Sequence, residues 1–169
     1  KALEMTPDDV GSIAFPYAHI GGPDYIVTVL AQGFPVVLLE SFVPAEAIEV
    51  FKRHGVTMAG GSTAFYIAFL NEQRKNPGVP LIPTLRLLSG GGAPKPPEVY
   101  FEVKNEMGIP VAHGYGMTEC PMIVQGSPTD TDDQLAYSEG KPVYRCKVDI
   151  VRPDGTPCAP GEEGEVRLS

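Results

Sequence analysis

Two segments of the chain bring residue types suited to chemistry together at short spacing. The first is Ser89-Gly90-Gly91-Gly92-Ala93-Pro94. Consecutive glycines let a flat ligand lie directly on the backbone and leave amide N–H groups free to donate. The segment is neither of the common phosphate loops: Gly-Lys-Ser/Thr is absent, and Lys95 stands where the dinucleotide fingerprint has its last small residue. On its own it reads as a tight turn. The second is His113-Gly114-Tyr115-Gly116-Met117-Thr118-Glu119. A ring flanked by two glycines has room on both faces to stack on a purine. The Thr118 hydroxyl can donate to a phosphate oxygen, and the Glu119 carboxylate can bind a hard cation such as Mg²⁺. By composition, a β-turn with a buried Tyr115 and a solvated Glu119 carries equal weight.

The remaining reactive side chains have structural readings. His54 closes a helical pattern, where positive charge suits the dipole, and His19 taken alone is a half-buried histidine. Cys120 has no base placed beside it by the sequence and reads as a small buried hydrophobe. Asp130, Asp132 and Asp133 lack the glycine and final glutamate of a calcium loop and belong to a solvated segment.

The elements that must hold these segments alternate along the chain. Residues 10–15 predict a strand ending at Pro16. Residues 24–32 predict a helix, apolar on nearly every side and hence buried, with Gly33 as its stop. Residues 36–39 form a continuous apolar run, as in a parallel strand covered on both faces. Pro44 opens a helix with Ala47, Ile48 and Phe51 inward and Gly55 as its stop. A short strand at 57–59 follows, then an apolar helix capped by Thr63 and running through Leu70, then a strand at 85–89. Pro97 opens a helix with Val99, Val103 and Met107 at four-residue spacing, Gly108 ends it, and 110–112 begins another strand.

Such alternation predicts an α/β fold: a doubly wound, mostly parallel sheet with flanking helices. Both glycine-bearing segments then fall at the carboxyl ends of strands, where open parallel sheets bind ligands. Beyond Glu119 the helical signal is absent. Residues 125–134 read as a surface loop, and 144–151 and 165–168 as strands of a short antiparallel β appendage around the Pro153-Asp154-Gly155 turn. The expected division is 1–120 as the α/β core and 121–169 as a loop-and-strand extension of the same large domain.

Gly91-Gly92-Ala93-Pro94, followed by a helix, a strand and Gly114-Tyr115-Gly116-Met117-Thr118-Glu119, resembles the core of the adenylate-forming (AMP-binding) enzymes. These include acyl- and aryl-CoA ligases, luciferases and the adenylation domains of peptide synthetases. Pro16-Tyr17-Ala18-His19, Gly140-Lys141-Pro142 and Gly161-Glu162-Glu163-Gly164-Glu165-Val166 match further segments of that family, so the resemblance covers essentially the whole chain. It implies two half-reactions: a carboxylate attacks the α-phosphate of ATP and releases pyrophosphate, then the thiol of coenzyme A takes the acyl group from the adenylate.

The resemblance also implies roles. Gly92, Ala93 and Pro94 would wall the adenine, His113, Gly114 and Gly116 would border it, and Tyr115 would stack on it. Thr118 would hold the α-phosphate and Glu119 the Mg²⁺, the two catalytic residues of the set. His19, Gly61, Ser62, Gly90 and Met117 would line the acyl tunnel. ATP/AMP, Mg²⁺ and coenzyme A are thus the expected cofactors, with a small carboxylic acid as partner. The family's phosphate loop is expected before Lys1, and its ribose-binding Asp, hinge and small domain with a catalytic Lys after Ser169. The chain would then be an inactive internal fragment of an acyl-CoA synthetase, with cut surfaces that favour self-association. Two alternatives stay open. One is an amino-acid-activating adenylation domain, although residues 16–20 contain no Asp to hold an ammonium group and only Asp24 is near. The other is a non-catalytic nucleotide-binding or scaffold protein that kept the fold.

Composition narrows the classes further. The chain has 169 residues, 20% charged and 43% apolar, within the globular range. Its 21 acidic against 13 basic residues give a net charge of −8, and no Lys/Arg cluster is visible, which argues against nucleic acid or an anionic membrane as partner. The longest apolar run, 64–70, is far too short for a ~30 Å bilayer core. No initiator Met or basic-then-apolar leader is present, so no signal peptide is expected. Three cysteines without a Cys-x-x-Cys pair read as free thiols, and a cytoplasmic location is the expectation.

Overall fold

The computed structural model describes residues 2–169. Five parallel strands with four helices between them form the body: β1 (Gly11–Ile13), α1 (Gly21–Gln32), β2 (Val36–Leu38), α2 (Pro44–His54), β3 (Met58–Gly61), α3 (Thr63–Gln73), β4 (Leu87–Gly90), α4 (Pro97–Met107) and β5 (Val111–Met117). Two further strands, β6 (Cys120–Gln125) and β7 (Lys141–Pro142), add antiparallel to the same sheet, with α5 (Asp132–Tyr137) between them. The seven-stranded order is β2-β1-β3-β4-β5-β6-β7. A separate antiparallel pair, β8 (Val148–Val151) and β9 (Glu165–Leu168), forms the predicted appendage. No described helix is long and apolar enough to cross a membrane.

Local chemistry explains most boundaries. Pro44 and Pro97 occupy first helical turns, where their missing N–H costs nothing. Gly33, Gly55 and Gly108 each end a helix with φ of 77°, 64° and 74°, in the left-handed region. The chain runs from β1 to β2 in one direction and from β2 past β1 to β3 in the other. Right-handed crossovers therefore place α1 on one face and α2, α3 and α4 on the opposite face. On that second face α2 packs on α3, α3 on α4 and α4 on α5, and the core lies between them and the sheet. Phe51, Tyr66, Phe69, Leu87, Tyr100 and Val111 are among its fully enclosed members.

Several expectations are corrected. The helix starting at Gly21 is not buried all round: Val27 is 65% and Leu30 76% exposed, because α1 stands alone on its face with β1 as its main support. The 36–39 run is not covered on both faces, since β2 is the edge strand and Leu38 is exposed. Thr63 does not cap α3; its hydroxyl instead donates to the Pro94 carbonyl at 2.9 Å, tying that helix to the glycine-rich loop. Residues 120–125, assigned to no element from sequence, form a strand. Within the predicted 125–134 loop lies the start of α5, held by a reciprocal capping box between Thr131 and Gln134. Of the predicted 144–151 strand, only Val148–Val151 is extended in a ladder.

A polar clamp closes the amino end of the sheet. Asp9, just before β1, accepts from Arg86 Nε at 2.8 Å and Nη2 at 2.7 Å, from the Thr57 hydroxyl at 2.7 Å and from the Thr6 amide at 2.8 Å. Asp9 is 3% exposed, and the Arg86 hydrogen bonds hold its carboxyl well below the usual carboxylate range. Residues preceding three strands are thereby fastened to one carboxylate.

Candidate active site

A cleft of about 110 Å³ opens on the α1 face, at the point where the strand order reverses between β1 and β3. Open α/β sheets bind ligands at such switch points. One wall is the glycine-rich loop. The Gly91 amide donates to the Gly61 carbonyl at 3.2 Å, and a Cβ on Gly91 would stand 2.5 Å from the Gly114 carbonyl oxygen. A Cβ on Gly90 would overlap the Gly61 carbonyl, and Gly92 has φ of +80°. The loop is thus a shelf of bare backbone whose shape excludes side chains.

His19 stands over this shelf. Its Cε1 lies 3.7 Å from where a Gly92 Cβ would be. Phe15 stacks on its ring at 5.4 Å with an 8° interplanar angle, and Nδ1 accepts from the Gly21 amide at 3.0 Å. The imidazole is therefore pinned from two sides, with the tautomer that carries its proton on Nε2 favoured. Tyr115 also lines the cleft, with 38% of its surface exposed.

The glycines flanking Tyr115 serve a different purpose from the one expected. A Cβ on Gly114 would meet Gln125 Oε1 at 2.6 Å, and one on Gly116 would overlap the Pro121 carbonyl. They admit β6 against β5 rather than keep both ring faces clear. Met117 pairs with Cys120, so Thr118 and Glu119 form the two-residue turn of this hairpin and both are exposed.

Of the residues singled out from sequence, the structure gathers His19, Gly90, Gly92, Gly114, Tyr115 and Gly116 along the cleft. Gly61, Ser62, Ala93, Pro94, Met117, Thr118 and Glu119 do not line it. Ala93 and Pro94 support the shelf through their carbonyls, which accept from His113 and Thr63. His113 is 2% exposed, turned into the core beneath the shelf. Sequence reasoning missed Ser12, Asp24, Tyr25 and Thr28 on the cleft's inner wall and Met122 on β6; only the nearness of Asp24 to the Pro16–His19 segment pointed there.

A bare-backbone shelf and an exposed tyrosine ring lining the same cleft suit a purine. Among the described residues no cluster of three His, Cys, Asp or Glu side chains surrounds Glu119. A lone carboxylate at an open turn fits Mg²⁺, which is commonly held by one or two carboxylates with substrate phosphates supplying the rest. Cys120, Cys146 and Cys158 are half-buried and unpaired.

Comparison with known proteins identifies the family of the fold. The family model for AMP-binding enzyme matches residues 1–169. A 2-succinylbenzoate–CoA ligase of Bacillus subtilis is 34% identical over 167 residues, covering 98% of this chain and 33% of that protein. A feruloyl-CoA synthase of an Amycolatopsis species is 27% identical over 168 residues, covering 98% and 33%. The solved structure of the Bacillus subtilis O-succinylbenzoate coenzyme A synthetase with ATP and magnesium superposes with a TM-score of 0.83 at 34% identity, covering 98% of this chain and 34% of that one. The chain spans about a third of the length of these relatives.

Proposed function

Because the chain belongs to the AMP-binding enzyme family, we propose that it is part of an ATP-dependent, AMP-forming acyl- or aryl-CoA ligase. The observation that carries this reading is the backbone shelf Gly90–Gly92 and Tyr115 lining one cleft, with His19 over the shelf. The relatives named for CoA ligation support it over amino-acid activation or a non-catalytic scaffold.

In this reading the adenine of ATP lies on the shelf and Tyr115 stacks on it. The carboxylic acid enters the cleft beside His19, whose fixed ring orients the carboxylate toward the α-phosphate. Attack there forms the acyl–phosphate bond and expels pyrophosphate; the coenzyme A thiol then displaces AMP. Positioning and charge neutralisation account for most of such a phosphoryl-centre reaction, so no protein nucleophile is required. Thr118 donates to a phosphate oxygen from the exposed turn, and Glu119 offers the carboxylate for Mg²⁺. When bound, Mg²⁺ neutralises charge on the phosphates. The 169 residues alone are proposed to fold without catalysing, with ATP, AMP or adenylate affinity in the millimolar range, near −4 kcal/mol.

The test is pyrophosphate release by the full-length protein with ATP, Mg²⁺ and a panel of carboxylic acids, with the acyl-adenylate identified by mass. Acid-dependent release is expected. ATP binding without release under any acid would overturn the ligase reading.

A further inference from the structure

Resting on that ligase reading, we propose that Lys95 is a positioning residue for ATP, holding the glycine-rich shelf from beneath through the carboxyl end of α5. Lys95 directly follows Ala93-Pro94 and is 7% exposed, although its side chain is a cation. Its Nζ donates to the Ala136 carbonyl oxygen at 2.9 Å and stands 5.8 Å from the centre of the Tyr100 ring. Ala136 lies in the last turn of α5, and the last four carbonyls of a helix have no partner within it. A lysine that reaches such a carbonyl meets both a free acceptor and the negative end of the peptide dipoles.

The segment 95–100 grips α5 at both ends. Tyr100 is fully enclosed, presents its ring to Lys95, and donates its hydroxyl to Asp132 Oδ1 at 2.6 Å. α5 is thus met by Tyr100 at its first residue and by Lys95 in its last turn. The Thr131–Gln134 capping box holds the helix itself, which packs on α4 and β5. Among the described residues, none of α5 lines the cleft.

A buried ammonium is costly unless its charge and protons are satisfied. Here the Ala136 carbonyl, the Tyr100 ring and the negative charge of Glu139 offset that cost. An apolar side chain would fill the same space more cheaply. What the ammonium adds is a fixed direction for the chain. Three consecutive residues are held: the Ala93 carbonyl by His113, the Pro94 carbonyl by Thr63, and Lys95 by Ala136. A ligand-bearing surface is only as well placed as the shell that supports it. Removing the third tie frees the carboxyl end of the shelf to shift.

Lys95→Met keeps the stem and removes the charge and the donor, whereas Lys95→Arg keeps both. In the full-length protein, Lys95→Met is expected to raise the KM for ATP about three- to tenfold. The kcat and the KM for the acid should stay near wild type, and Lys95→Arg should recover most of the loss. An unaltered KM for ATP in folded Lys95→Met, or an equal rise in the KM for the acid, would overturn the proposal. If Lys95→Met does not fold, Tyr100→Phe takes its place, since it releases the first residue of α5 and keeps the ring; the same split is expected. If no acid supports pyrophosphate release by the wild type, the ligase reading fails, and hydrogen exchange of the peptide carrying Gly91 decides separately. Faster exchange in Lys95→Met, restored in Lys95→Arg, upholds the support of the shelf by Lys95, and unaltered exchange overturns it.

Discussion

His113 and Ala93 join the two glycine-bearing loops from beneath: Nε2 of the imidazole lies 2.9 Å from the Ala93 carbonyl oxygen. A carbonyl only accepts, so Nε2 carries the proton and Nδ1 accepts from the Tyr66 hydroxyl at 3.2 Å. Burial lowers the pKa of His113 from 6.5 to about 4, which keeps the ring neutral and preserves this arrangement. Glu139 Oε2 is 3.6 Å away, beyond hydrogen-bond reach, and burial raises its pKa. The contact is not a salt bridge. The bond between His113 and Ala93 ties the shelf to the strand bearing Tyr115.

His113→Ala orphans the Tyr66 hydroxyl and leaves the Ala93 carbonyl with only the long 3.5 Å bond from Thr63, and is expected to cost about 1–3 kcal/mol. Urea unfolding measures the loss. The KM for ATP should rise in the full-length variant, and His113→Gln, which can restore the bond to Ala93, should recover part of it.

The lowered pKa of His113 makes stability depend on pH. The unfolded chain binds a proton near pH 6.5 and the native one near 4. Stability from this group is therefore complete above the unfolded value and falls as pH drops through that window, by about 3 kcal/mol in total. Urea midpoints between pH 7 and 4 check the slope, which His113→Asn should flatten.

Tyr115→Ala is expected to weaken ATP binding to the full-length protein by about 1–3 kcal/mol, the range for base–aromatic stacking. Calorimetry should show little change in the affinity for the acid. A change confined to the acid would place Tyr115 in the acyl pocket instead.

Glu119→Gln preserves shape and removes the charge. Because the residue sits exposed in a hairpin turn, the melting temperature should be unaltered while Mg²⁺-dependent pyrophosphate exchange is lost. Exchange at the wild-type rate would exclude the metal role.

Where a residue's own backbone preference decides the outcome, the sequence was readable. Pro44, Pro97, Gly33, Gly55 and Gly108 end or begin helices for local reasons, and the apolar runs between them placed all five parallel strands within a few residues. The β5–β6 hairpin was hidden because its turn, Thr118-Glu119, lacks the Asn-Gly or Gly-X signature that such turns normally show. The short helix α5 did carry a readable signal, the Thr131–Gln134 capping box, overlooked within an acidic stretch. Exposure of Val27 and Leu30 depends on which face each crossover takes, a property of strand order and not of the helix itself. For the site, the glycine loops and Tyr115 were legible, but Ser12 and Asp24 join them only through a cleft formed across the sheet.

The clamp at Asp9 bears on how the protein is made. Arg86 lies 77 residues along the chain from Asp9, and β1 sits in the sheet between strands that both follow it in sequence. During synthesis the first strand emerges with its buried carboxylate already present and its guanidinium partner still untranslated. The segment must wait, solvated, until β3 and β4 have been delivered, and closing so long a loop is intrinsically slow. The nascent chain is thus most open to capture by chaperones, or to mispairing of its β2 edge, in the interval before Arg86 emerges.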